Sequence, residues 1–291
     1  MMGYLYAFIA FLMIGSYLVP VRFADSKGLA FLPFMAAGLL VLDLTLMGGS
    51  LKELTAYPFC FWMAVLSGAL WSIGQAMAYL ALEEISLAKA SVLFNLNTFL
   101  NIAVGILLFK EASSLASVLF LLGGGLLLFG GAWLVSRAQA DPSREGNLKK
   151  GILFSLLAGL FWGIYFIPVK ALGIWAPGVS LSPRALLSGL ALGGIFSGSV
   201  IALFDRRSQW TWRNFGMGTA TAALWMAGTA CFLISIAQLG LSRAVPIVNT
   251  NSLMYAAWSF FVFKEIPLSQ GPKVLGGTLL AIAGIVLLSF S

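Results

Sequence analysis

The stretch Ala69–Gln75, ALWSIGQ, returns 154 positions later as Ala223–Thr229, ALWMAGT. An offset of 148 likewise pairs the segment Pro20–Arg22, PVR, with Pro168–Lys170, PVK. Further pairs at 154 positions are Asn95 with Asn249, Asn97 with Asn251, Leu87–Ala90 with Leu241–Ala244, and Lys110–Glu111 with Lys264–Glu265. A series of matches in one register indicates that the chain is a duplication of two halves.

Both halves consist mostly of long apolar blocks. Hydrophobic residues make up 60% of the chain and charged residues 9%, whereas soluble domains carry about 25% charged residues. The blocks reach the roughly 20 helical residues that cross a hydrocarbon core, and they lack the alternation of a membrane barrel. The sequence therefore predicts an all-α integral membrane protein with ten transmembrane helices, at about 3–21, 29–48, 57–82, 88–109, 115–135, 151–172, 180–204, 214–239, 244–263 and 271–290.

The predicted domain organisation is two five-helix repeats, 1–135 and 151–291, joined by the polar linker 136–150, SRAQADPSREGNLKK. Because five is an odd number, equivalent helices of the two repeats cross the membrane in opposite directions. Such inverted repeats are typical of secondary transporters, where a central site opens to one side and then to the other. Channels also contain them, so the repeat favours a carrier without excluding a channel.

The composition argues against an enzyme, a metalloprotein and a nucleic-acid-binding protein. Histidine is absent, the two cysteines lie inside apolar blocks, and no phosphate-binding G-x-x-x-x-G-K-[ST] loop occurs. The net charge of +7 comes from basic residues at the ends of the apolar blocks, as expected of membrane anchoring. We therefore expect no cofactor and no metal. The expected partners are a small-molecule substrate and the lipid bilayer of the plasma membrane, for a monomer or homodimer.

Two motifs resemble a known family of transporters. The tripeptide FKE closes the fourth and ninth predicted helices, at Phe109–Glu111 and Phe263–Glu265, and this pattern resembles the drug/metabolite transporter superfamily with its EamA-type repeats. The segment Gly15–Arg22, GSYLVPVR, and its echo Trp162–Lys170, WGIYFIPVK, resemble the GS-x-x-VPVK segment of the glucose/ribose porter branch, with Arg22 in place of lysine.

The resemblance implies secondary active transport of a small polar organic solute by alternating access, coupled to protons or to exchange. Family members carry sugars, nucleotide sugars, amino acids, purine derivatives or cationic drugs. A sugar-like metabolite is the leading substrate class, and a drug or amino-acid exporter of the EamA type is the alternative.

Polar and aromatic residues at symmetric positions inside the predicted helices are the candidate substrate-binding residues. Polar side chains inside membrane helices tend to face a bundle interior or a wet cavity, and asparagine offers two donors and an acceptor. Hydrogen bonding between helices is the alternative role for the same residues. The candidates are Trp71, Gln75, Tyr79, Asn95, Asn97, Asn101, Trp225, Thr229, Asn249, Asn251, Tyr255 and Trp258.

The ends of the first and sixth predicted helices carry matching hinge and gate candidates. A proline inside a helix removes one backbone hydrogen bond and loosens the turn before it. The candidates are Tyr17, Pro20 and Arg22 in the first half and Tyr165, Pro168 and Lys170 in the second. The two cations could equally extend to the membrane interface.

Asp43 is the candidate proton carrier because it lies well inside the apolar block LLVLDLTL. A carboxylate inside a membrane bundle is costly and is often functional. Pairing with a neighbouring serine or threonine is the alternative, and Glu83 and Glu84 are the next candidates for coupling.

Symmetry predicts a central cavity lined by spans 1, 3, 4, 6, 8 and 9, with Asn97 and Asn251 near its axis and spans 5 and 10 at the periphery. Of the 17 basic residues, twelve fall in connections after odd-numbered spans. The positive-inside rule then places both termini outside, whereas the family resemblance implies termini inside.

Overall fold

The computed structural model describes residues 2–48, 50–85, 90, 93–94, 96–111, 114–137, 146–204, 208–262 and 268–290. None of these residues forms a strand, so the prediction of an all-α protein is confirmed. The α-helices are α1 (Met2–Ile14), α2 (Leu32–Leu42), α3 (Leu51–Thr55), α4 (Pro58–Glu84), α5 (Leu96–Leu107), α6 (Leu115–Ser136), α7 (Leu148–Ile164), α8 (Ile167–Trp175), α9 (Pro183–Phe204), α10 (Trp212–Leu239), α11 (Leu241–Asn249), α12 (Asn251–Ala257) and α13 (Gly271–Ser289).

Six helical segments in these ranges are long and apolar enough to cross a membrane. They are Gly28–Leu46, Pro58–Glu84, Leu148–Trp175, Pro183–Ile201, Trp212–Leu239 and Gly271–Leu288, and shorter apolar helices cover Met2–Ile14, Asn97–Leu107 and Leu115–Gly131. The chain is thus a multi-pass integral membrane protein of the plasma membrane. Within the described ranges the helices do not form ten continuous spans, because several predicted spans are interrupted.

The interruptions lie in the first, sixth and ninth predicted spans. Helix α1 ends at Ile14 and the chain turns before a short 3₁₀ helix at Pro20–Phe23. Helix α7 ends at Ile164 and α8 begins at Ile167, while α11 and α12 are separated at Thr250.

Pro20 and Pro168 do not lie in the interior of a helix, where the sequence predicted that they would loosen a turn. Pro20 and Pro168 stand in the first turn of the helical segment that follows each break. A proline there costs no hydrogen bond, since the first N–H groups of a helix have no partner within it. Pro246, by contrast, lies inside a helix, in α11. The breaks therefore come before Pro20 and Pro168 rather than at an internal kink.

Small residues bring the central helices into close contact. A Cβ atom built on Gly38 of α2 would lie 2.7 Å from the Cα of Thr219 in α10. Gly68 of α4 and Gly193 of α9 likewise meet the backbone of the facing helix. Close backbone approach at small residues is the usual way in which membrane helices associate, because lipid supplies no hydrophobic driving force between them.

Helices α6 and α13 pack against each other at the edge of the molecule. A Cβ on Gly131 would lie 2.5 Å from the carbonyl oxygen of Gly277, and one on Gly124 would lie 2.9 Å from that of Gly284. Only 22% of the Gly271–Leu288 segment is buried, against 56% for the segments containing α4 and α10. The pair therefore lies at the periphery, as predicted for spans 5 and 10.

Candidate substrate cavity

A cavity lies among the interrupted helices and their neighbours. It encloses about 60 Å³ of space that the centres of water molecules can occupy. Its lining comes from the six predicted spans 1, 3, 4, 6, 8 and 9. The lining residues are Ile14, Tyr17, Leu18, Trp71, Phe94, Asn97, Asn101, Trp162, Tyr165, Phe166, Trp225, Phe232, Val245, Val248, Asn249, Asn251 and Tyr255.

A cluster of amides and one hydroxyl forms the polar side of the cavity. Asn249 of α11 donates from Nδ2 to Asn97 Oδ1 at 2.6 Å and to Thr98 Oγ1 at 2.9 Å. Asn101 Nδ2 donates to the backbone oxygen of Asn97 at 2.7 Å, and Asn101 Oδ1 is buried without a hydrogen-bond partner among the described residues. The cluster joins α5 of the first half to α11 of the second and leaves an acceptor available to a ligand.

Two tryptophans at matching repeat positions form the apolar wall. The ring centroids of Trp71 and Trp225 lie 4.1 Å apart with an angle of 32° between the planes, and both side chains are buried. Trp162 Nε1 donates to the backbone oxygen of Trp71 at 3.2 Å. The two indole rings thus pack on each other and contribute apolar surface to the lining.

A second polar group lies directly behind the lining. Tyr17 lines the cavity and donates from its hydroxyl to Gln75 Oε1 at 2.6 Å. The Tyr79 hydroxyl interacts with the Gln75 side chain, and the Thr229 hydroxyl is buried without a hydrogen-bond partner among the described residues. Because buried polar groups are nearly always hydrogen-bonded, the Thr229 hydroxyl is an unsatisfied group within the described part of the structure.

Tyr255 and Trp258 hold the break of the first span. The Tyr255 hydroxyl donates to the backbone oxygen of Ile14 at 3.3 Å, at the end of α1. Trp258 Nε1 donates to Ser16 Oγ at 3.1 Å. Tyr255 lines the cavity and Trp258 is not among the lining residues, while Asn95 lies outside the residues that the structure describes.

The gate candidates divide into two groups. Tyr17 and Tyr165 line the cavity, and the Tyr165 ring packs on Phe166 with centroids 4.0 Å apart. Lys170 lies farther along α8, where its Nζ pairs with Glu111 at 3.4 Å. Arg22, near the end of the first span, is exposed to solvent. Sequence reasoning did not select Glu111, although the repeated FKE tripeptide contains it.

Sequence reasoning also overlooked several aromatic and aliphatic residues of the lining. They are Phe94, Trp162, Phe166, Phe232, Val245 and Val248. Trp162 and Phe166 belong to the segment WGIYFIPVK, so that segment was the available signal for two of them.

Asp43 lies away from the cavity. The residue is 1% exposed at the end of α2, and its carboxyl group interacts with the Ser188 hydroxyl. Its Oδ1 has no hydrogen-bond partner in the ranges that the structure describes. Ser188 in turn lies 2.9 Å from Ser50, oxygen to oxygen. Neither Asp43 nor Ser188 is among the lining residues.

The sequence matches two family profiles. Residues 5–185 match the family described as "Sugar transport protein", and residues 149–290 match the EamA-like transporter family. The chain is 22% identical to the probable glucose uptake protein GlcU of Priestia megaterium over 80% of each chain, and 23% identical to the glucose uptake protein GlcU of Bacillus subtilis over 70% of this chain and 69% of that one.

Two further comparisons extend over most of the chain. The putative sugar uptake protein of Lactiplantibacillus plantarum is 24% identical over 87% of each chain. A solved structure, described only as the crystal structure of a protein, superposes with a TM-score of 0.71 over 99% of this chain and 97% of that chain. Its sequence identity is 15%, so the likeness shows a shared fold.

Proposed function

The chain belongs to the family of sugar transport proteins, and we propose that it carries a monosaccharide across the plasma membrane by alternating access. Relatives in Priestia megaterium and Bacillus subtilis bear the name glucose uptake protein. Glucose is therefore the first substrate to test.

The observation that carries this proposal is the chemistry of the cavity. Ligand sites are mostly apolar, with a few convergent polar groups that fix orientation. Here the tryptophan pair supplies the apolar wall, and the amides of Asn97, Asn101 and Asn249 supply donors and acceptors. A monosaccharide has an apolar ring face and a rim of hydroxyls, so it matches both sides. Phosphorylated sugars match less well, since none of the lining residues carries a positive charge.

We propose that ten spans form two inverted five-helix repeats, covering 1–135 and 151–291 with a linker at 136–150. Equivalent contacts support this arrangement. A Cβ on Gly74 would lie 2.6 Å from Trp162, and a Cβ on its repeat partner Gly228 would lie 2.6 Å from Ile14. Gly74 and Gly228 are 154 positions apart, and their contact residues Ile14 and Trp162 are 148 positions apart.

The connections between helices support the same topology. On this topology, the connections after spans 1 and 7 lie on one side of the membrane, and Asn214 Oδ1 accepts the N–H of Asp25 at 2.7 Å between them. The connections after spans 2 and 6 lie on the other side, and Ser182 donates to Glu53. Each of these hydrogen bonds joins two connections that the proposed topology places on the same side of the membrane.

The size of the cavity supports a state closed to bulk solute. A water molecule needs about 10–15 Å³ on this measure, so about 60 Å³ holds roughly four to six waters. A monosaccharide has more heavy atoms than that, so the helices must separate before it enters. The breaks in the first, sixth and ninth spans lie at the cavity, and interrupted helices at a central site are a recurrent feature of secondary transporters.

Counterflow in proteoliposomes tests the proposed function. Vesicles loaded with unlabelled glucose are expected to accumulate labelled glucose transiently and with saturation, as a carrier does and a channel does not. Failure of glucose and of related monosaccharides to exchange would contradict the proposal.

An Asn97→Ala variant tests the site. Removing this acceptor leaves the Asn249 amide without one of its partners, at about 1–3 kcal/mol, so counterflow is expected to fall about tenfold or more. Thr278→Val is the control, because Thr278 bonds only its own helix on the peripheral α13, to Val274 O at 2.8 Å. It is expected to stay within about twofold of the parent. Equal effects of both variants would contradict a specific role for Asn97.

Export of amino acids or cationic drugs is the second candidate. The match of residues 149–290 to EamA-like transporters favours it. The same vesicles, loaded with each solute class in turn, distinguish the two. Exchange of amino acids without exchange of sugars would select the second candidate.

A further inference from the structure

Glu111 joins three helical segments outside the cavity. It follows α5, and its Oε1 and Oε2 accept the backbone N–H groups of Leu241 and Ser242 at 2.8 and 2.7 Å. These N–H groups begin α11. Oε1 also lies 3.4 Å from Nζ of Lys170 in α8. One carboxylate from the first half therefore holds two elements of the second half.

Two glycines next to Glu111 leave room for its carboxylate. A Cβ on Gly105 would lie 2.6 Å from Glu111 Oε2, and one on Gly240 would lie 2.8 Å from the carboxyl carbon. Gly240 has a φ of 82°, which favours glycine, and it is the residue before α11. The Glu111 side chain is 11% exposed and that of Lys170 is 25% exposed. The carboxylate is thus largely withdrawn from water, with partners on both oxygens.

Three kinds of interaction stabilise the Glu111 carboxylate in this contact. The first N–H groups of a helix have no partner within the helix, and the positive end of the helix dipole attracts an anion. Hydrogen bonds to a charged acceptor are about twice as strong as neutral ones. Lys170 adds a cation, and its Nζ also lies 5.7 Å from the centroid of the Phe109 ring.

The segments that Glu111 joins are also those that line the cavity. Asn97 and Asn101 lie on α5, and Tyr165 and Phe166 come just before α8. On α11, Ser242 lies seven residues before Asn249, which is about 10 Å along the helix at 1.5 Å per residue. Val245, three residues after Ser242, also lines the cavity. The Glu111 contact therefore joins these segments about one helical turn from the cavity lining.

We propose that Glu111 is a latch that keeps this end of the transport path closed, and that the cavity opens on this side only when Leu241, Ser242 and Lys170 leave the carboxylate. This inference rests on the proposed function, because a latch presupposes a path that opens in turn to each side. It assigns Glu111 a positioning role, with no contact to the substrate.

The experiment measures access to a cysteine placed in the cavity lining, at the end nearest the latch. Val245 is 3% exposed and lines the cavity one turn before Asn249. Val245→Cys is made in a chain whose Cys60 and Cys231 are replaced by serine. A membrane-impermeant maleimide is added from either side of sealed vesicles. Glu111→Gln is expected to raise the labelling rate about tenfold from the side of the termini, which corresponds to about 1.4 kcal/mol.

Asp25→Asn is the matched control. Asp25 also pairs with a basic residue, Arg213, at 3.4 Å, and on the proposed topology it lies at the opposite end of the helices. It is expected to leave labelling from the side of the termini unchanged. The latch proposal would be overturned if Glu111→Gln were labelled at the parent rate. It would also be overturned if Glu111→Gln and Asp25→Asn were labelled at the same rate.

Two further measurements keep the result interpretable. If Glu111→Gln does not fold, Lys170→Gln removes the ion pair alone, and labelling at the parent rate would then overturn the proposal. Protection of Val245→Cys by glucose, measured without any latch variant, tests the proposed function separately. Protection without a Glu111 effect refutes the latch alone, and absence of protection contradicts the sugar site.

Discussion

At the residue scale, the polar side chains near the cavity fall into paired and unpaired groups. Asn97 and Asn249 hydrogen-bond each other across the two halves. The Tyr79 hydroxyl interacts with the Gln75 side chain, whereas the Thr229 hydroxyl and Asn101 Oδ1 have no partner in the part of the chain described here. An unpaired polar group in a membrane interior costs several kcal/mol. We therefore expect these groups to find partners when the cavity holds solute or opens.

Asp43→Asn tests proton coupling. If Asp43 carries the proton, the variant is expected to lose accumulation driven by a pH gradient and to retain counterflow, because only the gradient-driven step needs a charge that can be neutralised. Since neither Asp43 nor Ser188 lines the cavity, the proton would have to pass between Asp43 and the cavity through other groups. Accumulation at the parent rate would make Asp43 a structural residue and would move coupling to Glu83, Glu84, another ion or exchange.

At the scale of the elements, breaks and connections position the cavity. The carbonyl oxygen of Ile14 is left without an intrahelical partner where α1 ends, and the Tyr255 hydroxyl occupies it. On the outside of the bundle, Ser182 at the start of α9 donates its hydroxyl and its N–H to Glu53 of α3 at 2.7 and 2.5 Å. Such contacts fix where one helix begins relative to another.

The Glu53 contact predicts a pH-dependent stability. The Ser182 hydroxyl and N–H hold the pKa of Glu53 below its ordinary value of 4.5. A lowered folded-state pKa stabilises the fold above the ordinary pKa, and this contribution is lost as the pH falls through the folded-state value. The melting temperature of Glu53→Gln is expected to lie below that of the parent at pH 7, and the difference is expected to shrink below about pH 4.5. Thermal melts in detergent across this range measure it, and a constant difference would contradict the assigned contact.

At the scale of the whole molecule, contacts between distant parts of the chain follow the internal repeat. A Cβ on Gly3 would lie 2.8 Å from Leu239, and a Cβ on Gly151, which is 148 positions later, would lie 2.5 Å from Ile85. Ile85 and Leu239 are themselves 154 positions apart. The two halves therefore make equivalent contacts with each other, as exchange between two mirrored states requires.

The orientation of the molecule is a prediction at this scale. Twelve of 17 basic residues follow odd-numbered spans, so the positive-inside rule places both termini outside. Alkaline phosphatase fused to the C-terminus is expected to be active, and green fluorescent protein at the same position is expected to be dark. A fluorescent fusion would reverse the orientation and support the topology implied by the family resemblance.

The sequence by itself determined the membrane class, and it predicted the duplication and the candidate residues at symmetric positions. These properties depend on composition and on spacing along the chain, which are linear. Only the tertiary structure decided that Trp71 stacks on Trp225, that Glu111 binds the start of α11, and that Asp43 lies away from the cavity. Each of these depends on the tilt and rotation of helices, which packing between distant segments sets. Hydropathy carries no information on the tilt or the rotation of a helix.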